Sequence, residues 1–173
     1  MHESSMKWMS AVVSQYLDRN ARLKIGDMGS CKPRRQNDTY RPIFSSCPNW
    51  EYVGMDICPG SNVDIVVDSD YKWSVVPDAE FDVVISGQVM EHVDAPWLFA
   101  NALARICKPG GWCMVTAPSR WKEHRTPLDC WRIQADGMRS VMTKYAPFDE
   151  VECRTENFDH MHGDTYFVGR RKA

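Results

Sequence analysis

No apolar run in this 173-residue chain approaches the ~18–20 residues that a membrane-spanning helix needs, so none is expected. The first twenty residues, MHESSMKWMSAVVSQYLDRN, lack the charged-then-apolar order of a secretory leader. There is no C-x-x-C pair. The seven cysteines (Cys31, Cys47, Cys58, Cys107, Cys113, Cys130 and Cys153) are odd in number and irregularly spaced. That speaks against a disulfide framework or a zinc module and for reduced thiols in a cytoplasmic protein. Charge excess is missing too. Twenty-one Lys and Arg against 23 Asp and Glu give −2, which speaks against a general nucleic-acid binder. Repeats and low-complexity segments are absent. So is the G-x-G-x-x-G of a dinucleotide site: the first candidate turn reads Gly29-Ser30-Cys31-Lys32-Pro33, without the second and third glycines.

What remains is an ordinary globular composition. A chain of 19.9 kDa can bury roughly 70% of its unfolded surface, enough for one self-sufficient core over residues 1–173. Met6, Met9, Val12, Val13, Tyr16 and Leu17 recur at helical spacing and predict an opening helix over 4–20. Leu23–Asp27 reads as a strand. Residues 30–49 hold Pro33, Pro42 and Pro48 and the basic Lys32, Arg34, Arg35 and Arg41. They predict a solvated loop with one short helical turn. Further strands are expected at 52–56, 63–68, 81–86 and 112–117. A helix is expected over about 95–107, with Asp94 as N-cap and Pro96 in its first turn. Lys108-Pro109-Gly110-Gly111 should stop that helix. Residues 118–135 read as irregular, 136–144 as a helix, and 150–155 with 165–170 as a closing hairpin. Alternating strands and helices imply an α/β fold. The expectation is a Rossmann-like, seven-stranded, mostly parallel sheet with an antiparallel terminal strand and helices on both faces.

Ligands of such sheets bind beyond the carboxyl ends of the strands. Asp27, Gly29 and Ser30 follow the first strand, Asp56 and Ile57 the second, and Asp68 and Ser69 the third. Ser86, Gly87 and Gln88 follow the fourth, just before Glu91-His92. One aspartate at a strand end is an ordinary turn residue; three in a row form a polar rim. A nucleoside without a phosphate asks for a close backbone approach, an acid for the ribose hydroxyls and a polar group for the adenine edge. Gly29, Asp56 and Asp68 offer these in that order.

The segments LKIGDMGS, YVGMDI, VDIVVD and FDVVIS, followed by EHV, KPGG and a strand ending in AP, resemble the small class I S-adenosylmethionine-dependent methyltransferases. The resemblance covers residues 23–119. It implies that Asp27 and Gly29 cradle the methionine end of S-adenosylmethionine and that Asp56 takes the ribose. It implies that Asp68 with Ser69 meets the adenine, and that Ser86 and Gln88 lie beside the sulfonium. S-adenosylhomocysteine would be the product. One departure stands out: Cys31 replaces a glycine of the usual D-x-G-x-G turn, where its Cβ could clash.

Methyl transfer asks the protein mainly to position the acceptor, with a general base where a hydroxyl or protonated amine must lose a proton. His92 and His124 are the candidates. Trp121, Arg125, Trp131 and Arg132 are candidate acceptor contacts, the tryptophans as an apolar wall and the arginines as polar handles. Tyr71 and Trp73 either join that wall or cover the sheet edge. Gln88-x-x-Glu91-His92 resembles the Glu-x-x-Glu-His of metal-binding methyltransferases, but Gln88 removes the first carboxylate and no metal is assigned. His160 and His162 are expected in solvent. The expected reaction is methylation of an oxygen or nitrogen of a small molecule or glycan, with no membrane or nucleic-acid partner. A non-catalytic nucleoside-binding or protein-interaction module is the first alternative. Metal-assisted RNA methylation is the second, favoured only if Glu91, His92 and His124 converge. Monomer and dimer are both left open.

Overall fold

The computed structural model describes residues 3–32 and 39–173; Pro33, Arg34 and Arg35 of the basic loop lie outside the described residues. Seven strands form one sheet: β1 (Leu23–Met28), β2 (Trp50–Asp56), β3 (Ile65–Val66), β4 (Phe81–Gly87), β5 (Cys107–Arg120), β6 (Phe148–Asn157) and β7 (Gly163–Arg171). Their order is β3-β2-β1-β4-β5-β7-β6. Strand β7 runs antiparallel to both β5 and β6, while the β1–β5 pairings are parallel. The order reverses between β1 and β4, which is where an open α/β sheet splays its loops apart and leaves room for a ligand.

Both faces of the sheet are covered. Alternate side chains of the central strands go to opposite sides. Ile25, Val83, Ile85, Met114, Tyr166 and Val168 pack with Trp8, Met9, Val12 and Val13 of α1 (Glu3–Tyr16) and with Phe44 of α2 (Arg41–Ser45). Val84, Cys113, Val115 and Phe167 pack on the other side with Phe99, Leu103 and Ile106 of α3 (Pro96–Ile106) and Met138 of α4 (Ala135–Ser140). That two-sided burial is why β4 and β5 read as nearly continuous apolar runs.

Several boundaries differ from expectation. Helix α1 stops at Tyr16, short of residue 20. The strand expected over 63–68 is only two residues long, because the chain turns at Asn62 (φ 75°) and again after Val67. Asp94 does not cap α3; Ala95 holds that position, with no side-chain cap. Cys107 follows α3 directly and pairs with Phe81, after which Lys108–Gly111 loops out and pairing resumes at Trp112. Gly110, at φ +73°, allows that excursion. The last helix is short and continues as one π-helical turn, Val141–Tyr145. Trp73 is core rather than pocket wall: it is buried edge-on against Phe99, with its indole N–H donating to the Ser69 carbonyl at 3.0 Å.

Candidate active site

A cavity of about 650 Å³ opens beyond the carboxyl ends of β1, β2 and β4. Its floor is Asp27, Met28 and Gly29, its near wall Asp56, Ile57 and Cys58, and its far wall Gln88, Val89, Glu91 and His92. Trp121, His124 and Thr126–Leu128 close it from above.

Glycine 29 sits at φ +85°. Its amide and that of Ser30 both donate to the Met55 carbonyl, at 2.9 and 3.0 Å, which fixes the turn to the end of β2. A Cβ at Gly29 would lie 2.1 Å from Val89 Cγ2. Only glycine allows both the backbone angle and the contact. Ser30 is buried and donates to the Asn62 carbonyl. Cys31 is not among the left-handed residues, and its amide donates to Asp56 Oδ2 at 2.9 Å. A glycine is therefore not demanded there, and its Cβ makes no forced clash with the turn.

Asp56 has one further carboxylate bond, from the Cys58 amide to Oδ1 at 3.0 Å. Each oxygen thus carries one amide bond and keeps a second lone pair, and Asp56 lines the cavity. Asp27 is buried at the end of β1 and accepts a hydrogen bond from the Tyr52 hydroxyl. Burial pushes its carboxyl up to about 7, with the Tyr52 bond opposing that rise.

The structure does not bring every expected residue to the cavity. Asp68 is exposed, and its carboxylate accepts from the backbone and hydroxyl of Ser74, at 3.1 and 2.7 Å. Ser69 donates and accepts within the same turn, around Lys72. Asp70, two residues on, is the acid that reaches the cavity; burial and the nearby Asp94 and Asp56 carboxylates raise its pKa. Ser86 is buried below the cavity, where its hydroxyl latches β4 to β1 through the Met28 carbonyl at 2.8 Å. Gln88 does line the cavity, at φ 60°, with its amide nitrogen on Asp164 Oδ1 at 3.1 Å. Asp164, missed in the sequence, is buried and also accepts from the Ser4 hydroxyl.

Above the cavity, Arg132 organises the irregular segment. It binds Asp129 at 2.6 and 2.9 Å and donates to the carbonyls of Trp121, Lys122 and Trp131. Asp129, held well below the carboxylate range by Arg132, accepts the His124 amide at 2.6 Å. Arg132 thus positions His124 and does not face the cavity. Arg132→Met should cost ~3 kcal/mol, as for a broken part-buried pair, and lower Tm by roughly 6–12 °C. Arg132→Lys should recover little, because an ammonium cannot span a carboxylate and three carbonyls. A melt of Arg132→Met at the wild-type Tm would contradict this.

Trp121 lines the cavity, but Arg125 pairs with Glu123 on the surface. Trp131 donates to the Val93 carbonyl at 2.8 Å and, with Arg132, Trp121, Glu123, Asp129 and Cys130, lines a second hollow of about 340 Å³ that shares Trp121 with the main cavity. His160 is exposed as expected, whereas His162 is half-buried, pairs with Asp159 at 2.7 Å and leans on Trp121 at 4.3 Å between ring centroids.

Glu91, His92 and His124 do converge: one ligand atom from each lies within 4.8 Å of the others. The two imidazoles meet edge to face at 5.0 Å. Burial lowers the His124 pKa and keeps its ring neutral near pH 7. Glu91 is completely buried, and burial pushes its carboxyl up to about 8.

This sheet order, the Gly29 turn and the acid-rimmed cavity together define a class I S-adenosylmethionine-dependent methyltransferase fold. The methyltransferase-domain family profile matches residues 40–149, well over half the chain, and the chain belongs to that family. It is 31% identical over 85 residues to 2-methyl-6-phytyl-1,4-hydroquinone methyltransferase of Synechocystis sp., covering 48% of this chain. It is 36% identical over 61 residues to a ubiquinone biosynthesis O-methyltransferase of Thiobacillus denitrificans, covering 35%. The chain spans about a quarter, 26%, of the length of each of these curated relatives. Among solved structures it superposes on the 1,6-didemethyltoxoflavin-N1-methyltransferase of Burkholderia thailandensis, seen with bound 1,6-didemethyltoxoflavin and S-adenosylhomocysteine. The TM-score is 0.73 at 12% identity, covering 99% of this chain and 80% of that one, a likeness of fold. No helix among the described residues is long and apolar enough to cross a membrane.

Proposed function

We propose that the chain binds S-adenosylmethionine in the cavity over β1, β2 and β4 and transfers its methyl group to an oxygen or nitrogen of a small-molecule or glycan acceptor. The observation that carries this is the Gly29 turn, a left-handed residue packed so closely on Val89 that no side chain fits, opening onto a cavity of a volume suited to a nucleoside. The cofactor supplies an electrophilic methyl carbon and a neutral leaving group.

The chain's residues supply the rest. Asp56 offers its two remaining lone pairs to the ribose hydroxyls, and the Gly29 backbone allows the amino-acid end to approach. Asp27 offers a carboxyl to that end. Asp70, in place of Asp68, is the acid nearest the adenine side. Trp121, Val93, Phe99 and Leu128 give the acceptor an apolar wall that excludes water. His92 and His124 present imidazole nitrogens to the acceptor's proton. One relative is a hydroquinone methyltransferase and the other an O-methyltransferase of ubiquinone biosynthesis, which supports a hydroxyl-bearing acceptor.

Metal-assisted RNA methylation draws support from the convergence of Glu91, His92 and His124. Its RNA half lacks a basic surface: among the described residues, no Lys or Arg lines the cavity, whereas four carboxyls do. The interaction-module reading loses its motive with Cys31 in ordinary backbone.

Calorimetry with S-adenosylmethionine and S-adenosylhomocysteine tests the proposal. Binding in the micromolar range is expected, and no binding at millimolar cofactor would refute it. Asp56→Ala should weaken both ligands by roughly 10–100-fold, from ~1.5–3 kcal/mol of charged hydrogen bonding. Asp56→Asn, which can still hold one of the two loop amides, should fall between. Equal binding by Asp56→Ala would remove the ribose assignment.

A further inference from the structure

Glu91 has a carboxyl that should not be left as it is. It is fully buried, and neither oxygen meets a hydrogen-bond donor from another residue. Burying a carboxyl so costs several kcal/mol unless a proton or a cation neutralises it. What faces it is not a donor. His92 Nδ1 lies 2.6 Å from the Leu128 carbonyl oxygen, which can only accept, so the ring proton sits on Nδ1. That leaves the Nε2 lone pair, 3.7 Å from Glu91 Oε1. His124 is fixed the same way, its Nδ1 lying 3.2 Å from the Lys122 carbonyl. Two imidazole lone pairs and, once a cation displaces its proton, the Glu91 carboxylate therefore form an acceptor-only triad. Imidazoles whose far N–H is tied to a backbone carbonyl are the arrangement metal-ligating histidines adopt.

We propose that Glu91, His92 and His124 bind a divalent transition-metal ion, with open coordination positions facing the cavity. Two nitrogens and one oxygen suit Zn²⁺, Co²⁺, Mn²⁺ or Fe²⁺ and leave at least one position free. Ligand atoms around such an ion lie ~3.3 Å apart, from bonds of ~2.1 Å. The present spread of up to 4.8 Å closes with a shift of about 1.5 Å. Gln88, which stands where the resembling motif carries its first carboxylate, is turned to Asp164 and supplies no ligand. The free position suits the hydroxyl oxygen of an acceptor, whose proton a bound cation makes easier to lose. This role for the ion rests on the methyl-transfer reading; the ion site itself does not. With the ion present, the two imidazoles act as ligands and not as bases.

The test is a titration of chelator-stripped protein with Co²⁺ alone, read by d–d absorption and by equilibrium dialysis, and paired with S-adenosylhomocysteine calorimetry on the same sample. About one equivalent should bind, at micromolar affinity or better. His124→Ala and Glu91→Gln should each weaken it by more than ~100-fold, since even outer-shell partners are worth about 10–100-fold. A cooperative thermal melt of each variant shows that it folds. If Glu91→Gln does not fold, His124→Ala, on a surface segment, decides alone. No Co²⁺ uptake, or unchanged affinity in His124→Ala, overturns the ion site. So do thiolate-to-cobalt charge-transfer bands, which would put the ion on cysteines. A protein that binds S-adenosylhomocysteine but no Co²⁺ leaves methyl transfer standing, with His92 and His124 as bases. One that binds Co²⁺ but no cofactor does the reverse.

Discussion

Gly29→Ala should abolish measurable S-adenosylmethionine binding, a loss of at least ~100-fold, and destabilise the fold by about 2–4 kcal/mol. Two separate costs meet at this residue. The first is conformational: at φ +85° an L-residue costs ~1–2 kcal/mol. The turn cannot relax to escape this, because the Gly29 and Ser30 amides are both committed to the Met55 carbonyl. The second is steric. The new Cβ would sit 2.1 Å from Val89 Cγ2, and a β-branched side chain has few rotamers to retreat into. Val89 also leads directly into the 3-10 turn Met90–His92, so pushing it disturbs the cavity's far wall. A double variant separates the two costs. Gly29→Ala with Val89→Ala should recover the steric part, about half the stability loss, and leave the conformational part. The coupling between the two positions should be about 1 kcal/mol or more. A thermal melt and cofactor calorimetry on the three proteins measure it. Wild-type affinity in Gly29→Ala would mean that the turn does not receive the cofactor.

The sequence announces the sheet because central parallel strands must be apolar on both faces, and Phe81–Ser86 and Trp112–Ala117 could be little else. It announces Gly29 and Asp56 because each closes such a strand. It misleads at Asp68. The strand before it is only two residues, so the chain turns early, Asp68 is spent on Ser74 and Asp70 arrives at the cavity. At Cys31 the backbone itself asks for no glycine, because within this turn the positive φ falls on Gly29. The segment 118–135 has no periodicity, so nothing in it says which side chains turn inward. Arg132 and Trp131, expected as acceptor contacts, line the smaller hollow and bond backbone carbonyls, while Thr126–Leu128, which carry no signal, line the main cavity. Glu91 and His124 stand thirty-three residues apart, and their meeting depends on the backbone bonds from Cys130 and Trp131 to the Glu91 carbonyl, which no spacing rule encodes.

The metal-free, cofactor-free protein should lose stability as pH rises from about 4 to 8, the reverse of ordinary acid unfolding. Asp27 has a folded pKa of about 7 against 3.8 for the free side chain, and Glu91 about 8 against 4.5. Between those values the unfolded chain releases protons that the folded chain keeps, so stability falls with pH. The contribution is fully present below pH ~4 and is lost as pH passes through the folded values. Each pKa unit corresponds to ~1.4 kcal/mol, so the two groups together shift stability by several kcal/mol. Asp27→Asn, which cannot ionise, should flatten the slope over pH 4–7, and Glu91→Gln should flatten it up to pH 8. Tyr52→Phe should steepen it, since the tyrosine hydroxyl is what holds the Asp27 carboxyl down. The same carboxyl makes cofactor binding depend on charge. S-adenosylmethionine brings a sulfonium that its product lacks, and a cation beside Asp27 favours the ionised form. Affinity for S-adenosylmethionine should therefore rise from pH 5.5 to 8 and release a proton on binding, while S-adenosylhomocysteine should respond less. Calorimetry in buffers of different ionisation enthalpy counts the proton directly. Identical pH slopes for the two ligands, or an unchanged slope in Asp27→Asn, would take Asp27 out of the cofactor site.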